Sequence, residues 1–113
     1  MRGDDGSVML EARCTDENDH ESYVSVRGEM CAYSVPRLRE ALQWLLEDAR
    51  LVRTDLSEVS FIDSSGVRLL VEAHGSLAAH GGRFEVVGAS PAVRRVLQIL
   101  GLDGLFDAPA PAS

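Results

Sequence analysis

Lysine is absent from this chain of 113 residues; all eleven basic residues are arginine, against eighteen acidic ones, for a net charge of −7. A nucleic-acid binder needs a basic face to meet the phosphate backbone, and scattered arginines in an acidic chain do not supply one. No stretch approaches the ~20 apolar residues of a membrane span. The opening Met-Arg-Gly-Asp-Asp-Gly-Ser lacks the apolar segment of a signal peptide, so a soluble, cytoplasmic protein without membrane insertion is expected. Cysteine is scarce: Cys14 and Cys31 sit in no Cys-x-x-Cys or Cys/His spacing, which assigns them neither a metal nor a disulfide and leaves them as small hydrophobes. His20 falls in a polar connection, and His74 and His80 do not form the i, i+4 pair of a zinc helix. Gly-x-Ser-x-Gly is missing as well. The expectation is a protein that is not an enzyme and carries no cofactor.

What is present suits one domain. The length allows a single core, and 45% hydrophobic content is that of a folded chain. Ser7 to Cys14 alternates as a half-buried strand, Thr15 to Glu21 is a solvated connection, and Ser22 to Met30 alternates again, so the two pair as a hairpin. Ser34 as N-cap and Pro36 in the first turn open a helix to about Arg50, with Leu38, Ala41, Leu42, Leu45 and Ala49 as its apolar stripe. Trp44 lies at the core edge. Leu51 to Leu56 is a short strand. A second helix covers about Ser65 to His80, with Val67, Leu70, Val71, Leu77 and Ala78 recurring at helical spacing and His74 among them; Gly75 allows a close neighbour. Gly81-Gly82 stops it. Phe84, Val86 and Val87 form a strand parallel to Leu51–Leu56. Ala92 to Leu100 is a third helix, with Val93, Val96, Leu97 and Leu100 inward and Gly101 as its stop. The order predicts an α/β layer: a small mixed sheet of about four strands, with room for a fifth, and three main helices mostly on one face. Residues 1–7 read as a flexible N-terminus, 8–106 as the domain, and the Ala/Pro-rich 107–113 as a disordered tail.

The most informative stretch is Asp55 to Gly66. Phe61 and Ile62 close a buried segment, Val59 and Phe61 pin it to the core, Asp55 braces the turn by hydrogen bonds, and Asp63-Ser64-Ser65-Gly66 opens the second helix. A helix start leaves amide N–H groups unpaired and carries the positive dipole end, where Asp and Ser are natural caps. One cap would need one such residue. Two hydroxyls and a glycine together also tolerate a phosphate and let another backbone come close.

Asp55-Leu56-Ser57, then Phe61-Ile62-Asp63-Ser64-Ser65-Gly66, resembles the signature of the STAS domain and, more narrowly, the bacterial anti-sigma factor antagonists. The likeness runs from about Val8 to Phe106 and includes Ser90-Pro91 with Gly101-Leu102. It implies a STAS-like single domain. It further implies phosphorylation on Ser65, with Ser64 as second choice, by an anti-sigma factor that is itself a serine protein kinase. The partner face it implies comprises Asp63, Ser64, Ser65, Gly66 and Val67, with Gly28, Glu29 and Cys31 from the end of the second strand. Family members commonly carry Asp where this chain has Cys31, and many add a further C-terminal helix; without one, an apolar patch near Leu105–Phe106 is expected that a partner or a homodimer would cover. Unphosphorylated, such a protein captures the anti-sigma factor and frees a sigma factor; phosphorylated, it lets go, and a phosphatase resets it. The alternative is an unphosphorylated STAS scaffold or subunit of a signalling or transport complex. An enzyme using Ser64 or Ser65 as nucleophile needs a base within hydrogen-bond reach, and His74 is two or more turns away.

Overall fold

Each of the two parallel steps in this sheet needs a crossover, and the first two of the three helical patterns supply them. The computed structural model describes residues 10–18, 21–104 and 106, the side chains of 10–18, 44 and 48 excepted. Strands β1 (Leu10–Asn18) and β2 (Glu21–Met30) pair antiparallel, Cys14 opposite Val24. Helix α1 (Val35–Asp48) leads to β3 (Leu51–Ile62), α2 (Ser64–Ala78) to β4 (Arg83–Ala89), and α3 (Pro91–Ile99) follows. The sheet order is β1-β2-β3-β4, with β2, β3 and β4 mutually parallel and β1 antiparallel on the edge. The α/β class is the one expected; no fifth strand occurs among the described residues. The expected flexible N-terminus, His20 and the tail at 107–113 lie outside the described residues, as does Leu105.

The core lies on one face of the sheet. Val24, Val26, Met30, Val52, Leu56, Val59, Ile62 and Phe84 meet Val35, Leu38, Leu42 and Leu45 of α1, Leu69, Leu70, Ala73 and Leu77 of α2, and Val93 and Leu97 of α3 in one cluster. Each such large side chain taken from water contributes ~1.5–3 kcal/mol. The opposite face carries charge: Arg53 lies 3.9 Å from Glu21 and 3.7 Å from Glu85, and Glu85 also takes Arg83. Glu85 is buried, so its two arginines supply the pairing a buried carboxylate requires.

Several expectations change. Strand β3 does not stop at Leu56; it pairs with β2 as far as Met30 and Ile62. Its polar residues mislead because only one of its faces meets helices: Val52, Thr54 and Leu56 point to the core, Arg53 and Asp55 away. Phe61 does not pin the core but is 49% exposed. Gly28 pairs with Val59 and Glu29 with Phe61, so Ser60 is an extra residue that reverses the alternation. On α2 the buried stripe runs through Leu69, Leu70, Ala73 and Leu77, leaving Val71 and Ala78 outside. Leu100 is exposed because α3 ends before it and Gly101, at φ 72°, turns the chain. Gly75 has open space around it rather than a close neighbour. Phe106 is not part of an exposed patch: it is 1% exposed, packs edge-on against Phe84 and His74, and its carbonyl accepts the Val86 N–H at 2.9 Å. The side chain of Trp44 lies outside the described ones.

Candidate functional site

Strand β3 hands over to α2 through one residue. Asp63 is extended, and its Oδ1 accepts the N–H groups of Ser65 at 2.8 Å and Gly66 at 3.2 Å. These are two of the unpaired donors of a helix start. Its Oδ2 accepts the Ala32 N–H at 3.3 Å, and its own N–H donates to the Met30 carbonyl at 3.1 Å. Asp63 therefore joins α2, β3 and the β2–α1 connection. Gly66 is needed on the inner side: a Cβ there would stand 2.7 Å from Ile62 Cγ1 and 3.0 Å from the Met30 carbonyl oxygen. The backbone that comes close to it is the chain's own.

The β2–α1 connection is held separately. Ser34 sits at the N-cap of α1 but makes no side-chain cap. Its hydroxyl donates to the Glu29 carbonyl at 2.5 Å and accepts the Cys31 N–H at 3.0 Å. Proline in the first turn of α1 needs no donor partner, which leaves Ser34 free for this work.

With Asp63 capping and Gly66 packing, the two serine hydroxyls are left over. Ser64 is exposed and Ser65 half-buried. Among the described residues neither hydroxyl has a hydrogen-bond partner in the chain, and neither is a buried orphan. Of the other expected site residues, Glu29 is exposed and Gly28 half-buried at φ 111°. Cys31 and Val67 are each 8% exposed, so a partner would meet them through their backbone. The Cys31 thiol is free and lies 3.7 Å from the Ser34 hydroxyl.

Two surface residues at this corner escaped the sequence reading. Tyr33 is 87% exposed beside Ala32, and Phe61 stands two residues before Asp63. A tyrosine in the short connection between β2 and α1 was a usable signal; the outward turn of Phe61 depends on the bulge. Below the turn, Asp55 accepts the Ser57 N–H at 2.9 Å and the Tyr23 hydroxyl at 3.0 Å. Hydrogen bonds from Ser57, side chain first, and from Tyr23 hold its carboxyl below the usual carboxylate range against the opposing effect of burial. Asp55 sits mid-strand where the register shifts on both sides, so it braces a bulge rather than ending the strand.

Among the described residues no base is hydrogen-bonded to the hydroxyl of Ser64 or Ser65. His74 lies nine residues beyond Ser65, about 13 Å along the helix, and rests on Phe106 with its Nδ1 buried and unpartnered rather than satisfied. Among the described residues no cluster could hold a metal ion, and no helix is long and apolar enough to cross a membrane.

A mixed sheet backed by helices, with a capped Asp-Ser-Ser-Gly corner, defines a small α/β domain, and the model of the Mlab, STAS domain family matches residues 14–107. The chain belongs to the STAS domain family, on the branch that holds the anti-sigma factor antagonists. It is 32% identical over 102 residues to the anti-sigma-B factor antagonist of Listeria monocytogenes, covering 89% of this chain and 86% of that protein. Among solved structures, an anti-sigma factor antagonist from Mycobacterium paratuberculosis is similar at 31% identity and TM-score 0.75, covering 90% of this chain and 87% of that one. The anti-sigma factor antagonist SpoIIAA in its unphosphorylated form shares the fold at TM-score 0.76 and 24% identity, covering 88% of both chains.

Proposed function

We infer that this chain is a cytoplasmic anti-sigma factor antagonist switched by phosphorylation of Ser65. In its unphosphorylated form it binds an anti-sigma factor of the serine-kinase type and frees a sigma factor; phosphorylated, it is released, and a phosphatase restores it. The ATP and the catalytic base belong to the kinase, and this chain supplies only the acceptor hydroxyl.

One observation carries the reading: the cap of α2 is made entirely by Asp63, so the Ser65 hydroxyl is spare. It can be modified without removing any bond that holds the corner. A phosphate adds about −1.5 to −2 charges and three acceptor oxygens. Free in water it suits a helix start; inside a docked interface it is bulky and must be desolvated. A tenfold loss of affinity needs only ~1.4 kcal/mol of differential binding, within reach of such a charge. The half-burial of Ser65 makes the change felt by anything seated on the turn.

The test is a pull-down with the wild-type chain, Ser65→Ala and Ser65→Asp, joined to incubation with the recovered kinase and ATP followed by intact mass. Recovery of an ATP-binding anti-sigma kinase by Ala and not by Asp, with one phosphate added to the wild type only, is the expected pattern. Equal binding with and without phosphate on Ser65 would end the switch.

A further inference from the structure

Arg68 is exposed, and among the described residues it has no hydrogen-bond or ion-pair partner. The carboxylate at i, i+4 from it is engaged elsewhere. Glu72, one turn further along α2, is held by Arg39 of α1 at 2.7 Å. The order Arg before Glu at i, i+4 is also the weaker one on a helix. Arg68 therefore remains available on the other side, towards the start of α2.

That side holds the two spare hydroxyls. Arg68 is three residues after Ser65 and four after Ser64, the spacings at which helix side chains are neighbours, with Cβ atoms about 5–6 Å apart. Long helical side chains lean back towards the N-terminus, over the preceding turn. We propose that Arg68 is the positioning residue that holds the phosphate of phosphorylated Ser65 within the same helix, its guanidinium pairing with the phosphate oxygens. The proposal rests on the reading that Ser65 is the modified residue, and it names what receives the modification. In the unphosphorylated chain Arg68 is an exposed cation on the docking side; in the phosphorylated chain it is occupied. Phosphorylation then removes one positive contact from that surface as well as adding negative charge. Other charged side chains on the elements meeting at this corner include Asp63, Arg27 and Glu29 of β2, Glu58 of β3, and Arg37, Arg39 and Glu40 of α1.

The measurement is a phosphorus NMR titration of the full chain with phosphoserine placed at position 65 during translation, in the wild-type background, in Arg68→Gln and in Arg68→Lys, at low salt. No kinase is involved, so a kinase that ignores Ser65 would remove the functional reading and leave this result standing. An arginine paired with the dianion lowers its second pKa, near 6 when free. Arg68→Gln is expected to raise it by about half a unit, and Arg68→Lys to keep most of the wild-type value, since the charge persists. A Gln-to-wild-type difference under about 0.2 unit, or one of opposite sign, overturns the proposal.

Discussion

Gly66→Ala offers a test in which two effects of known size oppose each other. Alanine is favoured over glycine in a helix by up to ~1 kcal/mol, less in a first turn. Against this, the added Cβ would stand 2.7 Å from Ile62 Cγ1, 3.0 Å from Met30 Cβ and 3.0 Å from the Met30 carbonyl oxygen. Met30 is fully buried and Ile62 nearly so. The Met30 carbonyl also accepts the Asp63 N–H, so it cannot retreat without loosening the cap. Overpacking of this kind costs roughly 1–3 kcal/mol. Packing wins, and the net loss is about 1–2 kcal/mol, or a fall in Tm of about 4–8 °C for a domain of this size. Urea unfolding followed by circular dichroism should show a lower midpoint at unchanged slope. Gly75→Ala is the control: the position is exposed, mid-helix and has nothing within 4 Å of an added Cβ. It should gain up to ~1 kcal/mol. If Gly66→Ala proved as stable as the wild type while Gly75→Ala behaved as expected, the claim that the α2 start is pressed against the end of β2 would be wrong.

Two further expectations concern the rest of the chain. Phe106→Ala removes a fully buried ring between Phe84 and His74 and should cost about 3–5 kcal/mol, read by the same urea titration; a loss below 1 kcal/mol would mean that this ring does not belong to the core. Asp55 has a depressed folded pKa, so its stabilisation is present above the unfolded value of about 3.9 and is lost as pH falls through the folded one. The stability gap between wild type and Asp55→Asn should therefore narrow as pH drops below about 4; a constant gap in urea midpoints from pH 7 to pH 3 would contradict the hydrogen bonding described.

The handover from β3 to α2 was legible in the sequence because capping is local. Asp63 reaches donors two and three residues ahead, so Asp-Ser-Ser-Gly before a helical repeat is enough to place it. The three helices and the parallel β3–β4 crossover were legible for the same reason: periodicity and glycine stops act over short spans. The fate of Phe61 was not. It depends on the extra residue at Ser60, which exists only relative to β2, thirty residues earlier. Ser34 reads as a cap and acts instead as a clasp for Glu29 and Cys31, because the proline after it relaxes the need for a cap. Phe106 reads as an exposed end and is core, since its partners Phe84 and His74 come from two other elements.

By itself, then, the sequence determined where each helix begins and stops, and that two serines follow a capping aspartate. Those outcomes rest on hydrogen bonds and dihedral preferences within a few residues. Tertiary structure alone decided that Gly66 touches Met30, that Tyr33 and Phe61 face water beside the turn, and that Arg68 is left without a carboxylate among the described residues. Burial and pairing belong to residues that meet only after the chain has crossed over, and no local pattern records which distant side chain will arrive.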